Sequence, residues 1–337
     1  MVTISQSRIK LWRRCQQAYY YREVEELERK HKPLALEKGS LMHLLAETFF
    51  SKKGNWQTVL DEYRKKFEKL MEEEKDLYGD LPAEAERLFK GYLKKWYPNN
   101  AIKEKILAVE LNFAETPVEI VPGVFLRGII DRILKITEGA LKGKIVLCEM
   151  KNVTKIPSEE ERFYDVQTCL YVFAAIKLGF KVDLIMWDYV RTKPPTIPKA
   201  LKKGGITRRQ NLDTNYETYH QVIVENGFDP KDYSVELERA KLNVYYDRRF
   251  MPISDKLIKM IFRDFIRTAK EIDALKMYPT RNLGFNCRGC EYVSLCRAEL
   301  MGLDADFIRR TEYQPGVKKG GVLEIEEKSE NEEGGDI

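Results

Sequence analysis

The chain has 337 residues, of which 43% are hydrophobic, 33% charged and 11% aromatic, and its formal net charge is +5. That apolar and aromatic content is enough to bury a core, which excludes a globally disordered chain, and no apolar run approaches the roughly 18 residues of a membrane span. The first residues lack the apolar stretch and small-residue cleavage site of a secretory leader, so a cytoplasmic, reducing location is expected. There the six cysteines serve as thiols or ligands rather than disulfides.

In chain order, residues 5–27 predict a helix capped by Ser5 or Ser7, with Ile9 and Trp12, and Leu11, Cys15 and Tyr19, at helical spacing. A second helix is expected over 40–50, after Gly39. Trp56, Val59, Leu60, Tyr63, Phe67, Leu70 and Met71 mark an amphipathic helix over 56–71. Leu88, Tyr92, Leu93 and Trp96 mark another, stopped by Pro98. The texture then turns β-branched and apolar over 106–113, 124–136 and 144–150, with Pro122-Gly123 and the glycines between 139 and 143 as turns. A helix over 163–178, with Gly179 as its C-cap, leads to a strand over 182–190. A strand–helix–strand step implies a parallel pair, so the expected fold class is α/β, a mixed sheet flanked by helices.

Residues 191–209 carry Arg191, Lys193, Lys199, Lys202, Lys203, Arg208 and Arg209 and no acid. A charge run is ordinarily solvated surface. Issuing from the end of a strand, this one is also a candidate phosphate contact, with Arg191, Lys193, Lys202 and Lys203 as the DNA-binding candidates. Ser254 then caps a long amphipathic helix through Leu257, Ile261, Phe265, Ile272 and Leu275. Residues 322–337 hold seven acids against Lys328, and this local −6 leaves +11 on residues 1–321. A basic body with an acidic tail points to a polyanionic partner.

Candidate chemistry centres on the strand around Glu149. Residues two apart on a strand share a face, so Glu149 and Lys151 project side by side at the end of an apolar run. Asp131 lies between isoleucines in a strand of similar character. The two carboxylates can converge on one hard cation, Mg²⁺ or Mn²⁺, with Lys151 offsetting phosphate charge. An inter-strand salt bridge is the plainer alternative. Gln167 and Tyr171, at i and i+4, share one face of the next helix. His43 on the early helix has no role by itself.

Together, Gly39-x-x-x-His43, Gly128-x-x-Asp131, Glu149-Met150-Lys151 and Gln167-x-x-x-Tyr171 resemble the RecB-like branch of the PD-(D/E)XK nuclease superfamily, in family order. Ile130 stands where many members have proline. The resemblance implies a restriction-endonuclease-like fold in which His43, Asp131, Glu149 and the Met150 carbonyl hold the metal. It makes Lys151 the catalytic lysine, and Gln167 and Tyr171 the accessory motif.

Cys287, Cys290 and Cys296 form C-x₂-C-x₅-C, and no Cys or His follows, so a closed four-ligand site needs a distant fourth group. Cys15 is the candidate. Its surroundings resemble the N-terminal cysteine segment of cluster-bearing RecB-like nucleases, among them CRISPR-adaptation nucleases and the nuclease domain of AddB. By that resemblance Cys15, Cys287, Cys290 and Cys296 bind a [4Fe–4S] cluster; structural Zn²⁺ on four thiolates is the alternative. Cys148 and Cys169 read as buried thiols.

The expected division is an N-terminal helical part with Cys15 and His43 (1–50), a helical insertion (51–105), the catalytic core (106–190), a basic loop and helical region (191–275), an iron–sulfur segment (276–310) and an acidic, disordered tail (311–337). The expected function is a DNA exonuclease acting on strand ends, in contact with a helicase or recombination partner and with no membrane. A nuclease-like DNA-binding subunit of a repair or CRISPR-adaptation complex, with little cleavage of its own, is the alternative.

Overall fold

Five strands form the central sheet, in the order Lys105–Asn112, Ile129–Lys135, Ile145–Val153, Leu184–Arg191 and Tyr246–Pro252. The computed structural model describes residues 2–163, 165–274 and 279–316; the acidic tail beyond 316, and Leu275 of the long helix, lie outside them. Neighbouring strands run antiparallel except for Ile145–Val153 beside Leu184–Arg191, which are parallel. The helix Val166–Lys177 makes the crossover that a parallel pair requires. The sheet is therefore mixed and flanked by helices, as expected.

Alternation along the strands divides the core. Leu147, Ile133, Ile185 and Trp187 pack toward the helices Val166–Lys177 and Asp255–Asp273, while Met150 and Val190 pack toward Leu34–Ser51 and Leu81–Trp96. Leu147 is completely buried, so its truncation to alanine would cost about 2–5 kcal/mol.

A buried ion network lies on the Met150 face. Asp188 accepts from Tyr92 (2.5 Å), Arg132 (2.8 Å) and Arg248 (3.3 Å), and Arg132 also lies 3.8 Å from the centre of the Phe50 ring. These contacts tie three strands to the helices Leu34–Ser51 and Leu81–Trp96.

Some elements differ from expectation. The N-terminal helix is two, Gln6–Arg14 and Gln16–Glu23, because Cys15 takes an extended backbone (φ −168°, ψ 118°) between them. Leu27–Arg29 is a short strand paired with Tyr313–Pro315. Gly39 lies inside the helix Leu34–Ser51 rather than ahead of it. The stretch expected as one strand over 124–136 divides at Arg127-Gly128. Its first part, Val124–Leu126, joins Val2–Ile4 and Val118–Val121 in a separate three-stranded sheet. Between Arg191 and Tyr246 the chain builds the helices Tyr216–Glu225 and Ser234–Lys241 around a core of Ile206, Tyr219, Ile223, Tyr233 and Leu237.

Candidate active site

Three strands and two helices converge where Asp131, Glu149 and Lys151 point off the sheet. The pairs Val109 with Arg132 and Leu111 with Ile130 set Glu110, on the edge strand, opposite Asp131. His43 comes from the helix Leu34–Ser51 and places its Nδ1 3.3 Å from Asp131 Oδ1. His43, Glu110 and Asp131 thus form a group whose ligand atoms lie within 4.8 Å of one another. Asp131 Oδ2 accepts the Met150 N–H at 2.7 Å, which locks this carboxylate to the neighbouring strand.

Glu149 lies outside that group of three and is held by the other motif residues. Lys151 Nζ is 3.2 Å from Glu149 Oε2 and 3.2 Å from Gln167 Oε1, and Gln167 Nε2 is 3.5 Å from Glu149 Oε2. The second oxygen, Glu149 Oε1, is buried without a hydrogen-bond partner.

Burial and the nearby Asp131 push both Glu110 and Glu149 up to about 8. Burial works against the charged form of His43, yet Asp131 together with Glu110 and Glu149 outweighs it and raises the imidazole to about 9. Burial also acts against ionised Asp131, but His43, Lys151 and the Met150 N–H hold its carboxyl below the usual range. Lys151 is raised because Glu149, Asp165 and Asp131 overcome its desolvation. The site is a desolvated, acid-rich pocket with an excess of carboxylate, and its donor set fits a divalent cation with oxygen and imidazole ligands.

Gln167 and Tyr171 owe their aim to Asp165. Its Oδ1 caps the helix by accepting the Gln167 N–H (3.1 Å), and its Oδ2 accepts from Thr168 (2.7 Å) and from Trp187 Nε1 (2.8 Å) on the sheet. Tyr171 presses on Gly128, where an added Cβ would lie 2.6 Å from the tyrosine hydroxyl, so the glycine of Gly128-x-x-Asp131 is required by contact.

Compared with known proteins, residues 3–297 match the profile of the PD-(D/E)XK nuclease superfamily. The chain belongs to the PD-(D/E)XK nuclease superfamily. No curated protein matches it. Its sheet and flanking helices accord with the restriction-endonuclease-like fold of these phosphodiester-cleaving enzymes, whose chemistry depends on divalent metal.

In this nuclease Cys15, Cys287, Cys290 and Cys296 line one cavity of about 300 Å³, and all four are free thiols. The two ends of the chain are stitched together around it. Gln17 N–H donates to Thr280 O (3.0 Å), Arg14 Nη2 to Asn286 O (2.6 Å) and Asn282 Nδ2 to Arg14 O (3.1 Å). Cys148 and Cys169 are buried elsewhere, Cys148 with its sulfur 2.9 Å from Arg132 Nη2.

The four basic-loop candidates part company. Arg191 is buried, pairs with both oxygens of Asp213 (3.0 and 2.9 Å) and lies 4.3 Å from the centre of the Tyr245 ring, so it is not offered to a phosphate. Lys193 is exposed but lies 3.3 Å from the same carboxylate. Lys202 and Lys203 are exposed. Glu110 and Asp165 are the site residues that motif reading passes over. The available signals are a lone acid within an apolar strand and an Asp two residues before Gln167.

Proposed function

We propose that this nuclease is a metal-dependent deoxyribonuclease of the RecB-like branch that shortens strands from their ends in the cytoplasm and carries a structural [4Fe–4S] cluster. The observation that carries the catalytic reading is Glu149 Oε1, buried and unpartnered beside His43, Glu110 and Asp131. A desolvated carboxylate oxygen without a donor is costly, and a hard cation is the partner such oxygens prefer. His43, Glu110, Asp131 and Glu149 would hold Mg²⁺ or Mn²⁺, with the Met150 carbonyl as a further ligand.

When bound, the cation neutralises phosphate charge and acidifies water. Lys151, kept cationic by the carboxylates around it, offers a donor to negative charge developing on the scissile phosphate. Gln167 Oε1 steadies that ammonium, and Asp165 fixes the helix from which Gln167 reaches. His43 holds Asp131 from one side while Met150 N–H holds it from the other. Lys202 and Lys203 would add phosphate contacts on the DNA, and a helicase or recombination partner would supply the strand ends.

The cluster reading rests on the cysteine cavity. Four thiolates on a single zinc stand roughly 3.8 Å apart, given bonds of about 2.3 Å. Among the described residues no three of these sulfurs lie within 4.8 Å of one another, and the four cysteines are among the residues lining a cavity of about 300 Å³. A centre of several atoms suits that spacing better than one ion.

The deciding assay uses anaerobically purified protein with Mg²⁺ or Mn²⁺ on end-labelled linear and circular DNA, single- and double-stranded. Progressive shortening of linear strands is expected. Inactivity with both metals would remove the catalytic reading, and efficient cutting of circles would remove the end-directed one.

A further inference from the structure

Beside the catalytic residues lies a cleft of about 520 Å³ to which the chemistry above assigns no role. Gly128, Gln167 and Tyr171 line it from the catalytic core, and Arg8, Arg22 and Glu23 from the N-terminal helices. Its volume is that of a small-ligand site, with space for one or two nucleotides.

The arginines lining this cleft are not equivalent. Arg8 Nε lies 2.5 Å from Glu23 and Arg22 Nε 3.6 Å from the same carboxylate, so those charges are already engaged. Arg127 is exposed, and its guanidinium has no hydrogen bond or ion pair among the described residues. Its backbone is nonetheless fixed. Arg127 N–H donates to Ile4 O at 2.7 Å, and the adjoining Gly128 O accepts from Phe113 N–H at 3.0 Å. Tyr171 packs on Gly128, so the backbone next to Arg127 is held against the helix that carries Gln167.

We infer that this cleft is a subsite for the terminal phosphate of a single strand, gripped by Arg127. The inference rests on the nuclease reading and names its substrate end. A guanidinium fork matches two phosphate oxygens at once, and a terminal phosphate carries more charge than an internal diester. Glu26 and Glu28 line the same cleft, and their carboxylates oppose a phosphate backbone that continues through it. A strand that ends at Arg127 brings one phosphate to the free guanidinium and carries no further backbone past those carboxylates.

The test is binding of fluorescent single-stranded oligonucleotides by anisotropy, with Ca²⁺ in place of Mg²⁺ so that the strands persist. The oligonucleotides carry phosphate or hydroxyl at the 5′ or the 3′ end, and the two phosphorylated arms identify which terminus is held. Wild-type protein is expected to prefer one phosphorylated end about ten- to a hundredfold, the range of a charge-assisted bidentate contact. Arg127→Gln should erase that preference while leaving affinity for hydroxyl-ended strands unchanged, and Arg127→Lys should restore part of it. Equal binding of phosphate and hydroxyl ends by the wild type, or a preference that survives in Arg127→Gln, overturns the subsite. Failure to cleave with Mg²⁺ or Mn²⁺ would count against the nuclease reading alone, because the binding arms still decide this one.

Discussion

At Glu110 the backbone turns left-handed inside a strand, with φ at +47°, a conformation that costs a non-glycine residue about 1–2 kcal/mol. The turn sits opposite Asp131, where carboxylates are crowded enough that Glu110 and Glu149 both rise to about 8. A cation held there would offset both the strain and the like charge. Glu149→Gln and Glu110→Gln are therefore expected to raise metal-free stability by on the order of 1 kcal/mol and to lower cleavage by about 100-fold or more. Thermal melts with and without Mg²⁺ check this: added Mg²⁺ should raise the wild-type Tm but not that of Glu149→Gln. A variant that melts lower without metal, or cuts normally, contradicts the account. Asp131→Ala and Lys151→Ala should abolish cleavage while DNA binding persists. The motif residues were legible because their spacing is fixed along the chain. Glu110 was not, since its partner is set by strand register rather than by sequence distance. Arg191 reads as a free cation in the sequence for the same reason, its counter-ion Asp213 lying beyond the charge run.

Helix Val166–Lys177 carries two motif residues on a single N-terminal anchor. Asp165→Ala removes the cap and the link to Trp187, and should cost about 1–2 kcal/mol with a fall in kcat larger than in DNA affinity. Asp165→Asn, which can still cap, should recover most of the stability. On the opposite face, Asp188→Ala leaves Arg132 buried without its counter-charge and should destabilise by about 3–5 kcal/mol in denaturant melts. The Arg191–Asp213 pair ties the strand Leu184–Arg191 to the basic segment that follows it, and Arg191→Ala should lower Tm without altering the salt dependence of DNA binding. Lys202→Ala with Lys203→Ala should flatten that dependence and leave Tm unchanged. The strand–helix–strand core was readable from apolar texture. The break at Cys15 was hidden, because Leu11, Cys15 and Tyr19 keep helical spacing across it. The edge strand Tyr246–Pro252 was hidden too, because Asp247, Arg248 and Arg249 interrupt its apolar alternation while Arg248 reaches under the sheet to Asp188.

Across the whole molecule, the four-cysteine cavity joins residues 272 positions apart, since Cys15 and Cys287 line it together. A shared centre makes metal-binding free energy part of folding free energy. Cys15→Ala and Cys290→Ala should be equally destabilising and equally colourless near 400 nm, while Cys148→Ala and Cys169→Ala stay brown. Iron and sulfide analysis of the four variants separates a cluster from zinc, and a Cys15→Ala protein that keeps full iron and stability would refute the staple. The distance between its ends also imposes an order on biosynthesis. A ribosome adding about 5–20 residues per second needs roughly 14–54 s to reach Cys287 after making Cys15. Throughout that interval the first thiol is a nucleophile with no companion, open to oxidants and to passing metal ions. The nuclease core can fold during the wait, whereas a group held by all four cysteines could be completed only after Cys296 has been made.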